Sequence, residues 1–450
     1  MSVESPHVDQ DPEFEGVHVR RSLVRYQVLA VGVIMAVITY LDRVCISITA
    51  PQIQHDLGLT RTQMGFVFSA FTLAYGLFEI PTGAWGDRVG PRRVLARIVV
   101  WWSSFTMATA AAFSLWSLLV TRFLFGVGEA GAWPNMTRTF SRWFPASERG
   151  RAQGTMFMGA HLAGGLTPML VTFMLALMPW RQVFVVFGLM GFVWAAYWYW
   201  WFRDDPSEHR AVSPAELKLI VTQRSPGTVH KLTARAWARL VTSRSLLALC
   251  AMYFTQAFGF YFYITWLHTY LHEQRGFSEF RLGVVSGLPL IFSAPADLLG
   301  GLTTDWVTRH YGLRMGRCLV GGIALAVAGV AIIAGAATQS AIASALLIGL
   351  AGCAGNFLLG ACWGVCIDIA GGHAGLISGC MNSAGQLGGA LSPAILPYVA
   401  KSFGWAAGLY MIGVVYLVGS LFWWFVDPRV PIFEKGKGPP SSEPPESLTF

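Results

Sequence analysis

Residues 83–95 read GAWGDRVGPRRVL and join the second and third of a series of long apolar runs. A related stretch, GLTTDWVTRHYGLRMGR at 301–317, follows the eighth run. Each has a glycine four residues before an aspartate, Gly83 with Asp87 and Gly301 with Asp305, and then glycine and arginines. A motif that returns six runs later is the pattern of membrane carriers built from two parallel halves.

Composition supports that reading. Of 450 residues, 54% are hydrophobic and 12% charged, about half the charged share of a soluble protein (roughly 25%). Most of the surface must therefore face lipid. Runs of about 20 apolar residues can span a bilayer, and twelve occur, at about 26–49, 63–85, 93–112, 116–140, 153–177, 181–202, 246–271, 281–306, 317–336, 341–368, 373–400 and 405–426. The expected fold is an all-α integral membrane protein of twelve transmembrane helices in two pseudo-symmetric six-helix bundles, 26–202 and 246–426. Tails at 1–25 and 427–450 and a hydrophilic linker at 203–245 complete the chain, with a short amphipathic helix expected over 215–222.

Charge sets the expected orientation. With both termini cytoplasmic, 25 of the 32 basic residues fall on inner loops and tails. Five fall outside (Arg61, Arg181, Arg275, Arg281 and Lys401), and Arg43 and Arg122 lie within spans. This satisfies the positive-inside rule, so the net charge of +8 reflects topology and not nucleic-acid binding. The acidic, polar 1–19 region and the absence of a small-residue cleavage site predict a retained first span, not a signal peptide. The seven cysteines lie mostly inside apolar segments (Cys45, Cys250, Cys353, Cys362, Cys366 and Cys380 among them), which argues against a disulfide framework. Cys362 and Cys366 share a helix face, but read as small hydrophobes and not as a metal site.

Residues 126–131, GVGEAG, match a dinucleotide fingerprint. That motif needs a preceding strand and a soluble βαβ unit. Inside an apolar span the glycines serve close helix packing instead. With no Walker A sequence in the chain, nothing points to ATP-driven transport.

The informative residues are four charges within the first half's spans: Asp42 and Arg43 in the first, Arg122 and Glu129 in the fourth. Intramembrane charges are costly and mark function by default. Arg122 and Glu129 are seven residues apart, so they share a face about 10 Å apart. Asp42 and Arg43 diverge by roughly 100° around their helix, so one can face the fourth span while the other faces a central cavity. A purely structural pairing is possible, but buried ion pairs are weak stabilisers. As a working set, a buried arginine suits an anionic substrate and buried carboxyls suit proton exchange.

GAWGDRVGPRR resembles the loop motif of the major facilitator superfamily. YLDR at 40–43, with Ser47 and Pro51 after it, resembles the opening span of its anion:cation symporter family. Further matches run through 68–90, TRFLFGVGEAGAWPN at 121–135, YITWLHTYL at 263–271 and CWGVCIDIAGGHAGLISGCMN at 362–382. The resemblance implies proton-coupled import of an organic anion, a sugar acid such as a hexonate, hexarate or hexuronate, by alternating access, without a cofactor and without enzymatic activity. It places substrate binding on Arg43, Tyr40, Tyr75, Trp363 and Asn382, and proton coupling on Asp42, Glu129 and Arg122. His161 stands where the family's galactonate carriers have a substrate-contacting glutamine; as a histidine it can donate to a hydroxyl or titrate, or serve as a core residue bonded to a carbonyl. His268 replaces a proline of the family's pattern.

Gly83, Asp87, Arg88, Gly90, Arg92, Arg93 and Asp305 are expected to gate. An aspartate ending a span can face the N-terminus of an opposing helix, and Gly90 with Pro91 makes the tight turn. Glu79 and Asp297, extra acids in the second and eighth spans, are expected near the cytoplasmic ends, paired with loop arginines. The expected setting is the bacterial inner membrane and the expected working unit a monomer. Sodium in place of the proton, exchange or efflux of another small carboxylate, and a non-transporting sensor are the competing readings. Gly164-Gly165 precede Pro168 by several residues, which departs from the antiporter signature, and an appended signalling domain is not expected in tails of about 25 residues.

Overall fold

The computed structural model describes residues 22–222, 233–276 and 288–433. It is helical throughout these residues, and the helices follow the apolar runs. The first six spans are Val24–Leu57, Arg61–Val89, Pro91–Ala110, the pair Leu115–Glu129 and Ala132–Trp143, Arg149–Leu177 and Trp180–Trp201. The second six are Arg244–Thr265 with Leu267–Glu273, Leu288–Tyr311, Met315–Ala337, Ala341–Phe357 with Leu359–Asp368, Ala374–Phe403, and Trp405–Phe422. The start of the eighth run, at 281–287, lies outside the described residues, as do the tail residues 1–21 and 434–450. Among the described residues, eight helices are individually long and apolar enough to cross a membrane.

The spans start where side chains can satisfy the free N–H groups of a helix end, which lipid cannot do. Thr60 and Ser114 form capping boxes with Gln63 and Ser117, and Ser243 and Ser340 cap the seventh and tenth spans. The outer surface is apolar, with Trp200, Phe173 and Leu346 each at least 63% exposed. Bands of exposed apolar residues on this scale require a lipid surround.

Among the described residues, three spans are broken where the hydropathy is continuous. The fourth stops at Glu129 and resumes at Ala132, the seventh turns at Trp266, and the tenth turns at Leu358. The GVGEAG glycines sit at the first of these breaks and serve close packing. A Cβ on Gly126 would strike the backbone of Phe71, and one on Gly128 would strike Trp101.

Linker residues return to one end of the bundle, which also carries 83–95 and 309–317 and is called the basic end below. The linker helix Pro214–Thr222 places the buried Glu216 against the start of the first span. It accepts from Val24 N at 3.1 Å and from Arg25 N at 3.2 Å, and pairs with the Arg25 guanidinium at 2.8 Å. Arg25 also meets Glu148 at 2.9 Å. A second linker helix, Ala234–Thr242, leads into the seventh span.

The two halves close on each other at the basic end, and the repeated motif explains how. Gly83 packs on the backbone carbonyl of Gly375 in the eleventh span, and Gly301 packs on that of Gly150 in the fifth. At each crossing there is no room for a side chain. Gly83→Val and Gly301→Val should each shift the protein toward a form open at the basic end. Thiol-labelling rates of cysteines placed at these crossings should rise at least tenfold in either variant, while the protein still folds and inserts.

Candidate functional site

Asp87 ends the second span facing the first turn of the eleventh. Its carboxylate accepts from Gly375 N at 2.9 Å and Leu376 N at 2.8 Å, with Arg138 at 3.5 Å. Asp305 repeats this in the second half, accepting from Gly150 N at 2.9 Å and Arg151 N at 2.6 Å and pairing with Arg317 at 3.1 Å. Asp368 completes that side, meeting Arg149 at 2.7 Å and Arg317 at 3.1 Å. Each motif aspartate therefore ties its own half to the helix N-terminus of the other.

The motif arginines do other work. Gly90, at φ 95°, turns the chain tightly against Asp204. The Arg92 backbone N–H donates to Asp204 at 2.8 Å, and its side chain donates to the Tyr199 carbonyl. Arg88 and Arg93 are exposed and stand outside both caps. A carboxylate on a helix N-terminus is worth up to about 2 kcal/mol in partly buried settings. Asp87→Asn should therefore open the basic end, seen as longer spin-pair distances between the second and eleventh spans, without changing the residues around the cavity.

A cavity of about 310 Å³ lies between the halves, at the lower end of small-molecule sites. On the basic side its floor is aromatic: Trp133 stacks on Phe157 at 4.7 Å, and Trp363 lies 5.4 Å from Phe157. Along the fifth span the order is Gly150 at the cap, Phe157 at the floor and His161 in the cavity. The lining continues away from the basic end through Val44 and Ser47 to Ile264, which is 54% exposed. The cavity is thus sealed toward the basic end and faces the other way.

Of the residues singled out from the sequence, Tyr40, Arg43, Tyr75, His161, Trp363 and Asn382 all line this cavity. Arg43 lies 4.5 Å from the Tyr75 ring centroid and 5.8 Å from that of Tyr40. Its Nε donates to Glu129 of the fourth span. Asp42 turns the other way, buried beside Thr106 of the third span and within electrostatic reach of Arg122. Arg122 is buried against the Phe125 ring at 4.2 Å. The Phe71 ring stands 5.4 Å from both guanidinium carbons.

This cluster is sparsely satisfied. Both Asp42 oxygens, Glu129 Oε2, Arg43 Nη2 and Arg122 Nε and Nη1 are buried without a protein hydrogen-bond partner. Buried charges in such a state are expensive, and their count matters. Two carboxylates face two guanidinium groups, so the cluster is neutral when all four are ionised.

Glu79 and Asp297 depart from expectation. Each lies eight residues before its motif aspartate, about 12 Å deeper along the helix, and among the described residues neither pairs with a loop arginine. Glu79 accepts from Asn382 of the eleventh span, and Asn382 also donates to Tyr75 at 3.5 Å. Asp297 meets His161 Nδ1 at 2.6 Å. That contact also displaces the backbone-bonded core reading of His161. Both acids are fully buried, and both bridge the halves at cavity depth. The side chain of His268 lies outside the described residues.

The sequence reading missed several neutral lining groups, among them Gln256, Asn356 and Gln386. A polar amide within an apolar run was the available signal. Arg149, Arg317 and Asp368 were missed because their partners are distant in sequence.

The profile of the Major Facilitator Superfamily matches residues 32–393. Among curated relatives, the chain is 34% identical to a probable sulfoacetate transporter of Cupriavidus necator, over 92% of this chain and 96% of the relative. It is 31% identical to a D-galactonate transporter of Escherichia coli O6:H1, over 88% and 94%. Among solved structures, the human organic anion transporter MFSD10 superposes with a TM-score of 0.70 at 16% identity. That match covers 89% of this chain and all of the other, and it establishes a shared fold.

Proposed function

The chain belongs to the major facilitator superfamily as an organic-anion transporter and not an enzyme, and we propose that it imports a small organic acid together with protons by alternating access. The observation that carries this reading is the Arg43–Glu129 pair in the wall of a cavity sealed at one end. A substrate carboxylate that takes Arg43 from Glu129 adds one negative charge to a neutral cluster. A proton on the released Glu129 removes it. Anion and proton therefore enter the site together, because either alone leaves an uncompensated buried charge.

The remaining roles follow from position. Asp42 and Arg122, behind Phe71, form the inner part of the proton route. Tyr40, Tyr75, Trp363 and Asn382 shape the cavity around the anion. The positive-inside rule puts the basic end in the cytoplasm, so the cavity faces outward. Asp87 and Asp305 then hold the cytoplasmic side closed until loading favours the opposite form. The setting is the bacterial inner membrane, with both termini inside and the monomer as the working unit. Relatives named for sulfoacetate and D-galactonate support a small hydroxylated or sulfonated acid as cargo.

Uptake into proteoliposomes with sodium excluded is the test. An inward proton gradient should drive accumulation of a labelled sugar acid or sulfoacetate above the external concentration. Accumulation that needs sodium and ignores the proton gradient would overturn the coupling.

A further inference from the structure

Resting on the anion-import reading, we infer that the cargo is a dianion, whose second acidic group is received by His161 acting with Asp297. His161 lines the same cavity as Arg43, and both stand near one ring: Tyr40 is 5.9 Å from the imidazole and 5.8 Å from the guanidinium carbon. The two nitrogens of the imidazole are divided. Nδ1 is held by Asp297 of the eighth span at 2.6 Å. Nε2 has no protein hydrogen-bond partner among the described residues and is left for a ligand.

The arrangement repeats that at Arg43. Each of these two cavity bases is backed by a fully buried carboxylate from another helix, Glu129 behind Arg43 and Asp297 behind His161. Asp297 lies deep between the halves, where a carboxylate needs a countercharge, and it meets the His161 ring. As an imidazolium, that ring gives Nδ1–H to Asp297 and presents Nε2–H to the cavity, a charge-assisted donor suited to a carboxylate or sulfonate. An acid with one charged group engages Arg43 and leaves this second donor unused. An acid charged at both ends engages both, and its second charge enters with a second proton, held between His161 and Asp297.

The assignment is tested by competition against labelled-substrate uptake with matched pairs: galactarate against galactonate, and sulfoacetate against acetate. In the wild type, the dianion of at least one pair should compete at a tenfold or lower concentration than its monoanion. His161→Gln should erase that preference, weakening the dianion at least tenfold more than the monoanion. Asp297→Asn, which removes the group that orients and balances the imidazolium, should weaken the dianion in the same selective way and serves if His161→Gln folds poorly.

Equal competition within both pairs in the wild type, or equal losses for dianion and monoanion in the variants, would overturn the inference. A wild-type preference that survives both substitutions, as expected if His161 only accepts a substrate hydroxyl, would do so too. Arg43→Ala separates the two levels. It should abolish uptake of both members of a pair, and normal uptake there would instead sink the anion reading itself.

Discussion

Arg43→Ala is expected to abolish accumulation of the transported anion, with apparent affinity falling by two orders of magnitude or more. Truncating one partner of a buried, hydrogen-bonded charge pair costs about 2–5 kcal/mol, and every 1.4 kcal/mol is tenfold. Here the loss is double. The substrate carboxylate loses its charged donor, and Glu129, fully buried, loses its partner. Arg43→Lys should recover only part of the function, because an ammonium offers a point charge where the guanidinium offers a planar fork. Binding by isothermal calorimetry on purified protein, beside uptake in proteoliposomes, separates loss of affinity from loss of turnover.

Glu129→Gln should have an equally large but different effect. The amide resembles the protonated acid, so the site stays charge-balanced with an anion on Arg43 and can still shuttle between its two faces. Exchange of internal for external substrate should therefore survive within a few-fold of wild type. Net uphill uptake driven by a proton gradient should disappear, because the group that releases the proton is gone. Loss of both activities would reduce Glu129 to a structural partner of Arg43.

The sequence made the frame of this molecule legible because two signals are local. The apolar runs are set by bilayer thickness, and the Gly–Asp spacing returns in both halves. It also made Asp42, Arg43, Arg122 and Glu129 visible, since charge in lipid is costly enough to be rare. The breaks at 130–131, 266 and 358 were hidden because hydropathy does not register where a helix's hydrogen bonds stop. Glu79 and Asp297 were misplaced for a simpler reason. Eight residues before a motif aspartate is about 12 Å deeper along a helix, a depth that hydropathy does not show. The partners of Asp368 and of His161 come from other helices, and helix order alone does not show which side chains meet. The divergence of Asp42 from Arg43 was readable from helical geometry, whereas the Phe71 ring near both arginines was not.

Each anion that takes Arg43 should bring a proton to Glu129. Lumenal pH in proteoliposomes, recorded as substrate is added outside with no gradient imposed, tests it most directly. The lumen should acidify in step with anion entry in the wild type but not in Glu129→Gln, even while that variant exchanges substrate. Anion entry without acidification, or equal acidification in the variant, would contradict it.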